Sequence, residues 1–209
     1  MEKILDKNEQ LAGELREKFN KQGVFCVNIL GSPGAGKTTL LTQIIPKLSK
    51  AAFVIEGDIQ SDIDTEKLRK LGIPAVQINT GGACHLEANQ IEEALKNAPR
   101  DIGYVFVENI GNLVCPAEFL IGEHVKILIS TVTEGSDKPY KYPLAFEKAD
   151  LIILNKSDLL PYVAFDREYF LSGVRKLNEH APVLEVSGVG GAGLGAVAEW
   201  LENASLLRD

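Results

Sequence analysis

Cysteine is scarce in this chain. There are three in 209 residues, Cys26, Cys84 and Cys115. An odd and sparse set is a poor disulfide framework, so the thiols need another explanation. Long apolar runs are missing too. No segment approaches the roughly 18 uninterrupted apolar residues of a membrane-spanning helix, and the N-terminus carries no signal-like apolar run. A soluble cytoplasmic protein that does not engage a membrane is the expectation. Positive charge is in deficit: 22 Lys and Arg stand against 29 Asp and Glu, a net charge of −7. With no basic stripe and no interleaved aromatics, a nucleic-acid partner is not expected. Internal repeats, low-complexity tracts and Pro/Gly/Ser linkers are absent. The glycines at 188, 190, 191, 193 and 195 read as a loop between a strand and a helix. One domain over residues 1–209 follows, with the charged residues 1–22 as an N-terminal helical extension.

What is present alternates. Apolar runs predict strands over 24–30, 52–56, 75–79, 103–108, 125–131, 150–154 and 183–186. Helical spacing covers 2–20, 38–50, 62–71, 87–97, 166–178 and 192–204. Strands this apolar, separated by helices, imply an α/β fold with a mostly parallel sheet covered on both faces. Ligands then belong beyond the carboxyl ends of the strands.

The first of those ends carries the strongest motif. Gly31, Ser32, Pro33, Gly34, Ala35, Gly36, Lys37, Thr38 and Thr39 form a complete phosphate-binding loop between an apolar strand and a helix. Glycines at 31, 34 and 36 let the backbone curl so that its N–H groups surround a β-phosphate. Lys37 can reach the β- and γ-phosphates, and the Thr38 hydroxyl can bind Mg²⁺. A nucleoside triphosphate is the expected ligand, which makes the chain a P-loop NTPase.

A second motif chooses the base. Asn155, Lys156, Ser157 and Asp158 follow the apolar run 151–154 at the spacing of a guanine-specificity motif. The Asp158 carboxylate can accept from guanine N1 and N2, whereas adenine leaves it poorly paired. The mismatch costs on the order of 2–5 kcal/mol, enough to favour GTP. Lys156 can lay its stem along the base, and Asn155 is placed to brace the surrounding loops. Ser187 and Gly188, after a later strand, can add a base-lining turn.

Acids close the phosphate end. Asp58 ends the strand after the P-loop helix and can hold Mg²⁺ directly or through water; Asp62 and Asp64 are nearby alternatives. Glu108 ends another apolar strand and can engage Mg²⁺ or its water shell. Gly111 can offer its N–H to the γ-phosphate, which makes 108–115 a switch segment that responds when that phosphate leaves. No general base stands out, in keeping with phosphoryl transfer by positioning and charge neutralisation. Asp58 or backbone carbonyls can align the water. Lys138 is either a phosphate or base-edge contact or a solvated lysine.

The thiols return here. Cys84 adjoins His85, and Cys115 precedes Pro116 at what looks like a helix start. Both groups follow strands that end on the nucleotide side of the sheet, so they can meet in space. Thiolate and imidazole suit Zn²⁺ and are compatible with Ni²⁺. A helix N-terminus also favours the thiolate form. Three ligands are one short of a closed tetrahedral site, so the metal is either transient or completed by a second subunit. Isolated thiols of this kind are also common as filler. Cys26, inside a strand, reads as core, and His124 and His180 have no metal-ligand spacing.

Taken together, these stretches resemble the HypB family, GTPases that assist nickel insertion during nickel–iron hydrogenase maturation. The resemblance covers nearly the whole chain. It is carried by 31–39, by Glu56-Gly57-Asp58, by 81–88 with its Cys-His-Leu, by 107–116 with its Glu-Asn-Ile-Gly-Asn-Leu-Val-Cys-Pro, and by 155–158. It implies a GTPase of the class that dimerises around bound nucleotide, with Cys84, His85 and Cys115 binding Zn²⁺ or Ni²⁺ at the subunit interface. It also implies a HypA-like nickel accessory protein and, less directly, the hydrogenase large subunit as partners. Some members contribute to urease maturation. The N-terminus departs from some relatives: no Cys-x-x-Cys-Gly-Cys segment and no histidine-rich tract occur, so a high-affinity N-terminal nickel site and bulk nickel storage are not expected. Related GTPases serving urease and cobalamin enzymes share the nucleotide logic but not the Cys84-His85 and Cys115 contexts. The residues leave two other readings open: a regulatory GTPase switch without a metal role, and a P-loop small-molecule kinase, against which Asp158 counts.

Overall fold

The computed structural model describes residues 2–58 and 62–207, with side chains described from residue 7; residues 1, 59–61, 208 and 209 lie outside the described residues. Among the described residues, seven parallel strands form one sheet: β1 (Phe25–Gly31), β2 (Ala52–Asp58), β3 (Ala75–Asn79), β4 (Tyr104–Glu108), β5 (Val125–Thr131), β6 (Leu151–Asn155) and β7 (Val183–Glu185). Their order across the sheet is β3-β2-β4-β1-β5-β6-β7. β1 is central, with Ile29 opposite Glu108 on one side and Gly31 opposite Ile129 on the other. The chain's direction of winding reverses at β1, so a crevice opens at its carboxyl end, where the P-loop leaves.

The longer helices are α1 (Glu2–Gln22), α2 (Lys37–Ile44), α3 (Ile63–Lys70), α4 (Ala88–Ala94), α8 (Arg167–Leu177) and α9 (Leu194–Leu206). Between α4 and α8 lie three short helices, α5 (Cys115–Glu118), α6 (Lys138–Lys141) and α7 (Pro143–Glu147). The sequence periodicity misses α6 and α7 because each is shorter than two turns. A proline in the first turn of α5, α6 and α7 is the available signal: it lacks only a donor that the helix start leaves unused. The predicted 38–50 helix is shorter than expected. It passes into a 3₁₀ turn at Ile45–Lys47, where Pro46 cannot donate to the α-helical ladder.

Alternation along the strands divides the core. Phe25, Val27 and Ile29 face α2 and α9, packing with Leu40, Leu41, Val197 and Leu201. The opposite face holds two separate apolar clusters. One joins Leu30, Leu128, Ile152 and Leu154 to Phe146, Phe170 and Val174. The other joins Cys26, Val105 and Val107 to Leu15 and Phe19 of α1 and to Ile91 of α4. The helix read from sequence as an extension is thus built into the core, and Cys26 is fully buried there. Among the described residues, no helix is long and apolar enough to cross a membrane.

Candidate functional site

Backbone geometry shapes the loop after β1. Gly34 and Gly36 take positive φ values of 73° and 91°, and Gly36 caps the N-terminus of α2 in the left-handed conformation. A Cβ at Gly36 would come within 2.6 Å of Asn155 Nδ2. That amide donates to the Ala35 carbonyl at 2.8 Å, and Asn155 Oδ1 accepts from Gly188 N–H at 3.2 Å. One side chain therefore joins the P-loop, the end of β6 and the turn after β7. Lys37 is buried, its ammonium donating to the Gly31 and Ser32 carbonyls at 3.3 and 3.4 Å.

A cavity of about 550 Å³ opens at this point. Lys37, Thr38, Asp58, Asp64, Glu108 and Gly111 line it, as do Pro33, Gly34, Gly36 and Thr39 of the loop. Asp62 is described as the residue before α3 and does not line the cavity. Thr38 Oγ1 donates to Glu108 Oε1 at 3.0 Å. Burial pushes the Glu108 carboxyl up to about 7; Glu56 adds repulsion, while Lys37 and the Thr38 hydroxyl act in the opposite direction. Glu108 Oε2 is buried without a hydrogen-bond partner among the described residues. A buried, unsatisfied carboxylate oxygen beside a P-loop threonine and further acids is a donor set suited to a hard divalent cation.

Sequence reasoning named Glu56 only within the Glu56-Gly57-Asp58 stretch and gave it no role of its own. It sits in register with Glu108 on the neighbouring strand, lines the same cavity and accepts from Thr65 Oγ1. Burial raises its pKa as well. An acid at the end of the apolar run 52–55 was the signal. Gly111 rests on the P-loop: a Cβ there would lie 2.7 Å from Pro33 Cγ. Lys138 reaches the loop from α6, its Nζ 3.3 Å from Ser32 Oγ and 3.0 Å from Glu134 Oε1. Burial by itself would raise Glu134; hydrogen bonds with Ser32, Lys138 and Thr131 and the Lys138 charge hold it below the ordinary carboxylate value.

A second cavity, about 330 Å³, adjoins the first on the β6 side. Gly36, Thr39, Asn155, Lys156, Asp158, Leu159, Gly188 and Val189 line it. Lys156 takes a left-handed backbone conformation, φ 59°, at the turn from β6 into a 3₁₀ segment that carries Asp158. Ser187 turns inward instead, its Oγ accepting from Gly190 N–H at 2.8 Å, so it shapes the turn and Gly188 faces the cavity.

Beyond the phosphate end, the three remaining candidates converge. The ligand atoms of Cys84, His85 and Cys115 all lie within 4.8 Å of one another. The two sulfurs are 3.0 Å apart, and His85 Nδ1 is 3.4 Å from Cys84 Sγ. The Cys84 thiol is raised above its ordinary value, first by its hydrogen bond with Cys115. The His85 ring stacks on Phe119, with centroids 3.6 Å apart. Its Nε2 is buried without a hydrogen-bond partner among the described residues and lies 3.8 Å from Glu87 Oε1. A clamped imidazole beside two thiols matches the donor preferences of Zn²⁺ and Ni²⁺. Asn112 links this cluster to the segment after β4: Nδ2 donates to the Cys84 carbonyl, and Oδ1 accepts from Val114 N–H at 2.9 Å.

Comparison with known proteins follows this layout. The profile of the CobW/HypB/UreG nucleotide-binding domain family matches residues 25–185. The hydrogenase maturation factor HypB of Azotobacter chroococcum is 47% identical over 202 residues, covering 95% of this chain and 66% of that protein. Its counterpart in Escherichia coli K12 is 45% identical, covering 95% of this chain and 70% of that protein. The chain thus spans about two thirds of the length of these relatives. The crystal structure of HypB from Helicobacter pylori in complex with nickel superposes with a TM-score of 0.92 at 36% identity, covering 96% of this chain and 95% of that one.

Proposed function

Because this chain belongs to the HypB family of hydrogenase maturation factors, we propose that it is a GTP-hydrolysing metallochaperone. It couples the state of bound guanine nucleotide to the binding and delivery of nickel during hydrogenase maturation. The observation that carries this reading is the convergence of Cys84, His85 and Cys115 within 4.8 Å, one hydrogen-bonded loop away from the phosphate cavity. The crystallised H. pylori relative holds nickel, which supports nickel as the cargo.

Each residue has a part. N–H groups of residues 31–39 cradle the phosphates, and Lys37 engages the β- and γ-phosphates. Thr38, Glu108 and Asp58 would hold Mg²⁺, which when bound neutralises charge on the phosphate oxygens. Gly111 offers its N–H to the γ-phosphate, and Asp58 or nearby carbonyls align water. Asp158 reads guanine, with Lys156 along the base. GTP stabilises a two-fold homodimer. A second copy completes the three-ligand metal site. A HypA-like protein supplies or accepts metal, and the hydrogenase large subunit is the final recipient.

The test is calorimetric. Ni²⁺ is titrated into the wild-type chain with GDP and with a non-hydrolysable GTP analogue, and into Cys84→Ala and Cys115→Ala. Nucleotide-dependent affinity of about 5–150-fold, with loss of stoichiometric binding in both variants, is expected. Equal affinity in the two nucleotide states, with unchanged transfer to the partner, would sink the coupling. Retained stoichiometry in the variants would leave a GTPase without a metal role.

A further inference from the structure

Between the two apolar clusters on the α1/α8 face of the sheet runs a seam of buried polar side chains. Asn28, Asn109, Glu123 and Lys126 are each at most 6% exposed. Asn109 follows Glu108 and shares the wall of the phosphate cavity. Its Oδ1 accepts from Ile110 N–H at 3.0 Å, closing the turn that seats Gly111 on Pro33. Its Nδ2 donates to Asn28 Oδ1 at 3.1 Å, and Asn28 Nδ2 donates to Glu123 Oε1 at 3.2 Å. The Lys126 ammonium lies 3.4 Å from the same Glu123 oxygen. The far end of the seam grips backbone: Lys126 Nζ donates to the Ala117 carbonyl at 3.0 Å, and Glu123 Oε2 accepts from Ile121 N–H at 2.7 Å. Those two backbone groups belong to α5 and the turn after it, the segment that starts at Cys115.

A buried ion pair is a weak source of stability, since apolar side chains of similar volume commonly serve as well. What this one supplies is direction. Two charges hold two named backbone groups, and the hold continues unbroken to the residue behind the phosphate cavity. In a low-dielectric interior such bonds respond strongly to the loss of any member. Coupling requires an element with two states, and segment 108–115 is the one placed to serve, because Gly111 seats on Pro33 of the P-loop.

We infer that Glu123 and Lys126, through Asn28 and Asn109, are positioning residues that transmit the nucleotide state to the helix bearing Cys115. The seam sets where that thiol stands relative to Cys84 and His85. The consequence for metal rests on the metallochaperone reading above; the transmission itself does not.

Hydrogen exchange decides it. Amides of residues 115–121 are followed by mass spectrometry in the full chain with GDP and with a non-hydrolysable GTP analogue. Two variants are compared with wild type. Glu123→Gln/Lys126→Met removes both charges, so that neither is stranded, and Asn28→Ala cuts the seam at its midpoint. Wild type is expected to show several-fold different exchange in the two states. In a folded variant that ratio falls to about 1, while nucleotide affinity and the nucleotide response of residues 31–38 persist. Equal exchange in the two wild-type states overturns the inference, whether or not either variant folds. A folded variant that keeps the wild-type ratio overturns it too. Ni²⁺ titration on the same samples separates the two ideas. If exchange responds as expected but Ni²⁺ affinity is the same in both nucleotide states, the metallochaperone reading fails and the seam stands.

Discussion

The side-chain amide of Asn112 donates to the backbone carbonyl of Cys84 at 3.1 Å, across 28 residues of sequence. The same residue accepts from Val114 N–H, so one side chain ties the Cys84 loop to the segment between Gly111 and Cys115. Removing it as Asn112→Ala loses a hydrogen bond to a partly exposed carbonyl, about 0.5–1.5 kcal/mol. Ni²⁺ affinity is expected to fall roughly 2–10-fold with GDP affinity unchanged. Isothermal titration with each ligand separately reads both; unaltered Ni²⁺ affinity would mean that Asn112 does not order the metal loop.

Asp158 lines the smaller cavity beside Lys156 and Gly188. In Asp158→Asn the side chain presents a donor where guanine N1 and N2 also donate. GTP binding should weaken by about 2–5 kcal/mol, whereas xanthosine triphosphate, with an acceptor at the C2 position, should gain. Competition between the two nucleotides measures the ratio, and an unshifted ratio removes Asp158 from base recognition.

Gly111 has no room for a side chain, because a Cβ would stand 2.7 Å from Pro33 Cγ. Gly111→Ala must lift the switch segment off the P-loop or deform the loop, at a cost of about 1–3 kcal/mol. The expected signature is weaker binding of the GTP analogue with little change for GDP. Parallel losses for both nucleotides would show that Gly111 only packs.

Glu134 has its pKa lowered in the fold by hydrogen bonds that outweigh its burial. A depressed folded value means that the unfolded chain takes up its proton first as pH falls. The stabilisation is present above the ordinary carboxylate value of 4.5. It is lost as pH drops through the lower folded value. Urea midpoints measured from neutral pH down to about pH 3 should fall less steeply for Glu134→Gln than for wild type over that acid window. Identical slopes would show that Glu134 gains nothing from Ser32, Lys138 and Thr131.

Much of the fold was legible because its signals are local. β3 and β5 match the predicted 75–79 and 125–131, since buried parallel strands read as continuous apolar runs. The P-loop was legible because its glycines answer a backbone requirement visible in the chain itself, as the positive φ at Gly34 and Gly36 bears out. Glu56 was harder to read. Its importance comes from standing opposite Glu108 on a strand distant in sequence, and no spacing within one segment encodes that register. Glu123, Lys126 and Asn28 were missed for the same reason, each being unremarkable until the sheet brings them together.

Composition, strand periodicity and the residue types at 31–39 and 155–158 determined by themselves an α/β chain with a P-loop and a base-reading motif, and left the thiols and imidazole at 84, 85 and 115 as candidates for a metal. Covalent neighbours along the chain carry that information. Tertiary structure alone decided that Cys115 stands 3.0 Å from Cys84 and that a buried ion pair lies beneath its helix. Those distances depend on parallel strands pairing in one register around β1, which the whole core settles together through burial of its apolar faces.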